Sequence, residues 1–128
     1  MTLELDRTYV EAMKVAVVDA IEDIKGFDIT VMDVRKLTSM TNYMIVASAT
    51  SSRQAKAIAD NVREKLKEKG YSIRGTEGEK EGEWVLVDLD DIVVHIMVPT
   101  TRAYYNLEQL WGEAENRRGH IKSDGAEA

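Results

Sequence analysis

The chain has 128 residues, of which 44% are hydrophobic and 31% charged, enough to bury the core of one domain without cross-links and too apolar for a disordered polymer. It contains no cysteine, which excludes disulfides, thiolate metal sites and a cysteine nucleophile, and which fits a reducing compartment. The net charge of -6 disfavours direct nucleic-acid binding, because neutralising phosphates needs a basic surface, and is better matched to a basic protein partner.

Residues 9–24 carry an apolar stripe at helical spacing (Val10, Met13, Val17, Ala20 or Ile21, Ile24), closed by Gly26. Residues 27–34 read as a strand with both faces apolar enough to be buried, and residues 36–41 as a polar connection. The run Asn42 Tyr43 Met44 Ile45 Val46 Ala47 Ser48 has the continuous apolar character of a central strand covered on both sides. Ser51 and Gln54 stand at capping-box spacing and open a second helix with the stripe Ala55, Ile58, Ala59, Val62, Leu66, ended by Gly70. Residues 71–74 read as a short strand and residues 75–82 as a polar, glycine-rich loop. Residues 84–89 and 92–98 form a hairpin about Asp90 and Asp91, and Pro99 ends its second strand. Residues 102–115 read as a final helix in which Trp111 shares the inward stripe with Leu107, and residues 116–128 as a disordered polar tail. One domain over residues 1–115 follows, with a mixed five-stranded sheet in a three-layer α/β/α sandwich. Its first two strands pair antiparallel, and a crossover through the second helix places the third strand beside the second as its parallel neighbour.

The N-terminus lacks the basic start and apolar core of a signal peptide and the look of a transit peptide, and no segment reaches the length of a membrane span. The chain is therefore read as cytoplasmic, with no membrane partner.

Asp33, Asp88, Asp90 and Asp91 with His95 are the set that could hold a divalent cation, since oxygen ligands from neighbouring strands suit magnesium. They show no ligand-spacing motif, and short acidic residues in a turn more often satisfy backbone groups, so no catalytic residue, metal site or cofactor is assigned. A strand histidine is more often a hydrogen-bonded structural residue, and Asp88 on the facing strand is its expected companion. Ser51, Ser52 and Arg53 open a helix where anions can bind, but a simple cap is the commoner use. Trp84 begins a strand directly after a charged loop; such a residue either closes the core or anchors an interface, and spacing alone favours the core slightly.

Several phrases together resemble the Iojap family of ribosomal silencing factors: Asp33 Val34; Thr41 through Ser48; Ser51 Ser52 Arg53 Gln54; Glu77 Gly78; Trp84 Val85 Leu86 Val87 Asp88; Asp91 Ile92 Val93 Val94 His95; and Arg102, Tyr105, Leu107 Glu108, Leu110 Trp111. Two positions depart from that pattern, which usually has aspartate at Asn42 and glycine at Ala49. The resemblance implies a fold similar to a nucleotidyltransferase core without its active site, and a non-enzymatic role. It implies binding to the large ribosomal subunit through its ribosomal protein fourteen, blocking association with the small subunit and repressing translation when nutrients are limiting. It also makes Trp84 a contact residue, with Gly78, Asp88, His95, Met97, Arg102 and Tyr105 as the remaining partner-binding candidates. The alternatives are a large-subunit assembly factor and a nucleotidyltransferase-like enzyme, and a sheet edge with an apolar patch would permit a homodimer.

Overall fold

The computed structural model describes residues 3–107. The chain runs α1 (Leu3–Asp23), β1 (Phe27–Asp33), β2 (Tyr43–Ser48), α2 (Ser52–Glu68), β3 (Gly75–Glu77), β4 (Trp84–Asp88), β5 (Ile92–Met97) and α3 (Pro99–Tyr105). The five strands form one mixed sheet in the order β1-β2-β5-β4-β3. Strand composition accounts for this order. β2 is buried at every position and β5 at all but one, so these two need cover on both faces and lie centrally, paired in parallel. β1 and β3 have mostly exposed or half-exposed positions and take the edges.

One sheet face packs on α1 and α2. Met13, Val17 and Ile21 of α1 and Ile58, Val62 and Leu66 of α2 meet Ile45, Val85, Val87, Val94 and Ile96 of the sheet in one continuous core. The cap of α2 forms as its spacing requires, with Ser51 Oγ accepting from the Gln54 amide at 3.1 Å. Gln54 Oε1 reaches back to the Thr50 amide, and its Nε2 donates to the Ile24 carbonyl at 2.9 Å, which joins the start of α2 to the end of α1. The opposite face carries α3 and the connection after β1, where Val34 and Leu37 pack on Met44 and Val46. This completes the three layers.

Four expectations are corrected. β1 is an edge strand, not one buried on both faces: Phe27 and Val31 are exposed. Residues 71–74 form no strand; Tyr71 and Ile73 alternate because they pack against the core beyond the sheet edge, and pairing with β4 starts at Gly75, inside the expected loop. β3 is therefore at the far edge, and the parallel neighbour of β2 is β5. Pro99 not only ends β5 but occupies the first turn of α3, where its missing N–H costs nothing and its fixed φ suits a helix, so α3 starts before Arg102. Asn106 closes it in the left-handed region at φ 50°. The expected continuation to residue 115, the inward position of Trp111 and the disordered tail over residues 116–128 lie outside the described residues.

Asn42 shows why this chain can depart from aspartate. Its backbone amide donates to the Asp91 carbonyl at 2.9 Å, and its side-chain Nδ2 donates to Asp91 Oδ1 at 3.1 Å, holding the start of β2 to the β4–β5 turn. Asn42→Asp replaces that donor by a second carboxylate. The variant should lose about 1–3 kcal/mol relative to the parent at pH 7, and the deficit should shrink toward pH 5 as the pair shares a proton. Urea unfolding of both proteins at the two pH values checks this.

Candidate partner-binding surface

Alternation along β4 points Val85 and Val87 into the core and leaves Trp84, Leu86 and Asp88 on the opposite face. The register sets Met97 beside Trp84, His95 beside Leu86 and Val93 beside Asp88. Four of the candidates, Trp84, Asp88, His95 and Met97, thus share one sheet face. Asp88 lies opposite Val93, two register pairs away from His95, and its Oδ1 instead accepts from the Asp90 amide at 2.8 Å, capping a turn in which Asp90 adopts φ 75°.

The companion of His95 is Trp84. The indole Nε1–H donates to His95 Nδ1 at 2.9 Å, so Nδ1 carries no proton and the neutral ring holds its hydrogen on Nε2. His95 is only 6% exposed, and burial pushes its pKa down to about 4. Its Nε2 has no hydrogen-bond partner among the described residues. The half-buried indole lies between His95 and Tyr105, whose ring centroid is 4.6 Å away, and Tyr105 in turn meets Tyr104 edge-on at 5.0 Å. Tyr104 is 81% exposed and Tyr105 52%. An aromatic cluster with a buried polar anchor and an exposed rim is the composition of an interface hot spot.

The other candidates support this cluster. Met97 is fully buried, so it underlies the surface instead of forming it. Arg102 sends its guanidinium inward, donating to the Asp28 carbonyl at 2.6 Å, Ser48 Oγ at 2.8 Å and Thr30 Oγ1 at 3.1 Å. That tether docks α3 on β1 and β2 and so sets Tyr105 against Trp84. Gly78 has φ 83°, and a Cβ there would stand 2.0 Å from the Trp84 carbonyl oxygen. Gly78→Ala should therefore displace the entry to β4 and cost about 2 kcal/mol or more of stability, measurable by denaturant unfolding. Sequence reasoning passed over Tyr104, although its place beside Tyr105 was a signal.

The carboxylates once grouped with His95 are dispersed. Asp33 is bound by Arg35 through two contacts of 2.9 and 2.5 Å, which hold its pKa below the usual range. Asp90 pairs with Arg74 at 2.7 Å, and Asp91 accepts from Asn42. No three histidine, aspartate or glutamate side chains among the described residues are placed to hold a metal ion. Ser51 is spent on its cap, and no helix among the described residues is long and apolar enough to cross a membrane.

Residues 8–128 match the family model "Ribosomal silencing factor during starvation". The chain is 55% identical over 102 residues to the ribosomal silencing factor RsfS of Chromobacterium violaceum, covering 80% of this chain and 83% of that protein. A crystal structure of a protein from the same organism superposes with a TM-score of 0.79 at 52% identity, over 80% of this chain and 85% of that one. A more distant relative, the mouse "Mitochondrial assembly of ribosomal large subunit protein 1", is 33% identical over 87 residues, covering 66% of this chain and 38% of that protein. The chain belongs to the ribosomal silencing factor family.

Proposed function

We propose that this member of the silencing-factor family binds the large ribosomal subunit through its ribosomal protein fourteen, on the face that meets the small subunit, and keeps the two subunits apart by occupancy alone. It acts in the cytoplasm, lowers translation when nutrients are scarce, and is not an enzyme. The observation that carries this reading is the partly exposed aromatic cluster of Trp84, Tyr104 and Tyr105, formed where α3 meets β4. A net charge of -6 favours encounter with a basic ribosomal protein. Co-sedimentation with separated subunits tests it: the protein should travel with large subunits, and equal or absent binding to the two subunits would remove the reading.

The likeness to a mouse protein named for assembly of the mitochondrial ribosomal large subunit supports a second reading, in which the same contact serves large-subunit maturation. Depletion should then cause incompletely assembled large subunits to accumulate, whereas a pure silencing role leaves their composition unchanged and raises the joined fraction in starved cells.

A further inference from the structure

At the other end of the Trp84 face, the connection after β1 folds toward the β4–β5 hairpin and borders an open hollow of about 260 Å³. Met40, Met44 and Val93 supply its apolar wall, and Asp88 and Asp90 stand with Arg74 at its polar margin. Met40 is 83% exposed, a large apolar side chain left in water beside two carboxylates. Arg74 is paired with Asp90, so the margin keeps one uncompensated negative charge, which Asp88 supplies. The Asp90 amide fixes that carboxylate in place through Oδ1.

We propose that this hollow is a second contact point of the ribosome-binding face and receives one lysine or arginine side chain of the basic partner, its aliphatic stem against Met40, Met44 and Val93 and its cationic head on Asp88. This rests on the reading given under Proposed function. An apolar wall ending in a carboxylate matches a side chain that buries its methylenes and keeps its charge at the surface. A short apolar side chain would leave Asp88 unpaired, and an acidic one would be repelled. Trp84 and Asp88 are four residues apart on one strand, about 13 Å at the usual rise per residue, so a single interface of ordinary size spans both. The partner must therefore present a basic residue at about that distance from the site that takes the indole.

The test is titration of the full chain with isolated ribosomal protein fourteen at several salt concentrations. Asp88→Asn retains the acceptor for the Asp90 amide and removes only the charge; it should weaken binding about tenfold and flatten the salt dependence. Met40→Ser, at an exposed position that the fold does not need, should weaken binding about threefold with unchanged melting. Replacing the partner's lysines and arginines singly should identify one whose loss is no longer felt in Asp88→Asn. If the parent chain binds, Trp84→Ala binds weakly, and Asp88→Asn and Met40→Ser retain the parent affinity and salt slope, this inference fails while the functional reading stands. If the parent chain does not bind at all, both fall.

Discussion

Trp84→Ala should weaken binding to the isolated ribosomal protein by about 2 kcal/mol or more, roughly a thirtyfold loss of affinity. The indole forms the centre of the aromatic cluster, packed on Tyr105 on one side and His95 on the other. Truncation removes that contact area and also the donor to His95 Nδ1, leaving a buried acceptor unsatisfied at a cost of about 1–3 kcal/mol of stability. Trp84→Phe separates the two effects: it retains an aromatic face but loses the N–H, so it should bind better than the alanine variant while sharing part of its instability. Calorimetry alongside thermal unfolding reads both quantities. Parent-like affinity in a folded Trp84→Ala would move the contact away from this cluster.

Acidification should produce the largest loss of stability attributable to one side chain. His95 stays neutral in the folded protein because burial lowers its pKa from 6.5 to about 4. Above pH 6.5 the ring is neutral in both states, and its contribution is fully present. As pH falls from 6.5 toward 4 the unfolded chain takes up a proton that the folded chain refuses, removing about 3 kcal/mol, with no further loss from this group below that range. Protonation at Nδ1 would also displace the indole donor, so the end of the transition should coincide with a change in Trp84 fluorescence. His95→Gln supplies a comparison, because the amide oxygen can accept from the indole and does not titrate. Glu11 and Asp33, whose pKa values are lowered by Lys14 and Arg35, lose stability on acidification in both proteins and cancel in the difference. A parent and variant with parallel stability curves between pH 6.5 and 4 would contradict the assignment.

What could be read from the sequence was what local pattern determines. The apolar run of β2, the helical stripes, the Ser51 cap and the β4–β5 hairpin depend on near neighbours, and each formed as its spacing required. The position of β3 depends on which edge of a finished sheet is free, and the alternation of Tyr71 and Ile73 looks the same whether those residues pair in a strand or pack against a core. The partner of His95 was missed because the indole reaches diagonally from Trp84, past the directly opposed Leu86. Arg102 offered no local hint of its contacts with Asp28, Thr30 and Ser48, which lie far away in the chain. The hollow at Met40 was equally hidden, since a connecting segment must first fold over a distant hairpin. The resemblance grouped Trp84 and Tyr105 as contact candidates, and the structure brings their rings together, while Met97 is buried beneath them and Arg102 is turned inward on Ser48.

The central claim is that occupancy of one face is sufficient to hold the subunits apart. The most direct measurement mixes separated large and small subunits with rising amounts of the protein and follows the yield of joined ribosomes by sedimentation. The account predicts that joining falls in proportion to the fraction of large subunits occupied, without nucleotide consumption, and that Trp84→Ala shifts the curve to higher concentration by its loss of affinity. Unchanged joining with large subunits saturated by the protein would contradict it.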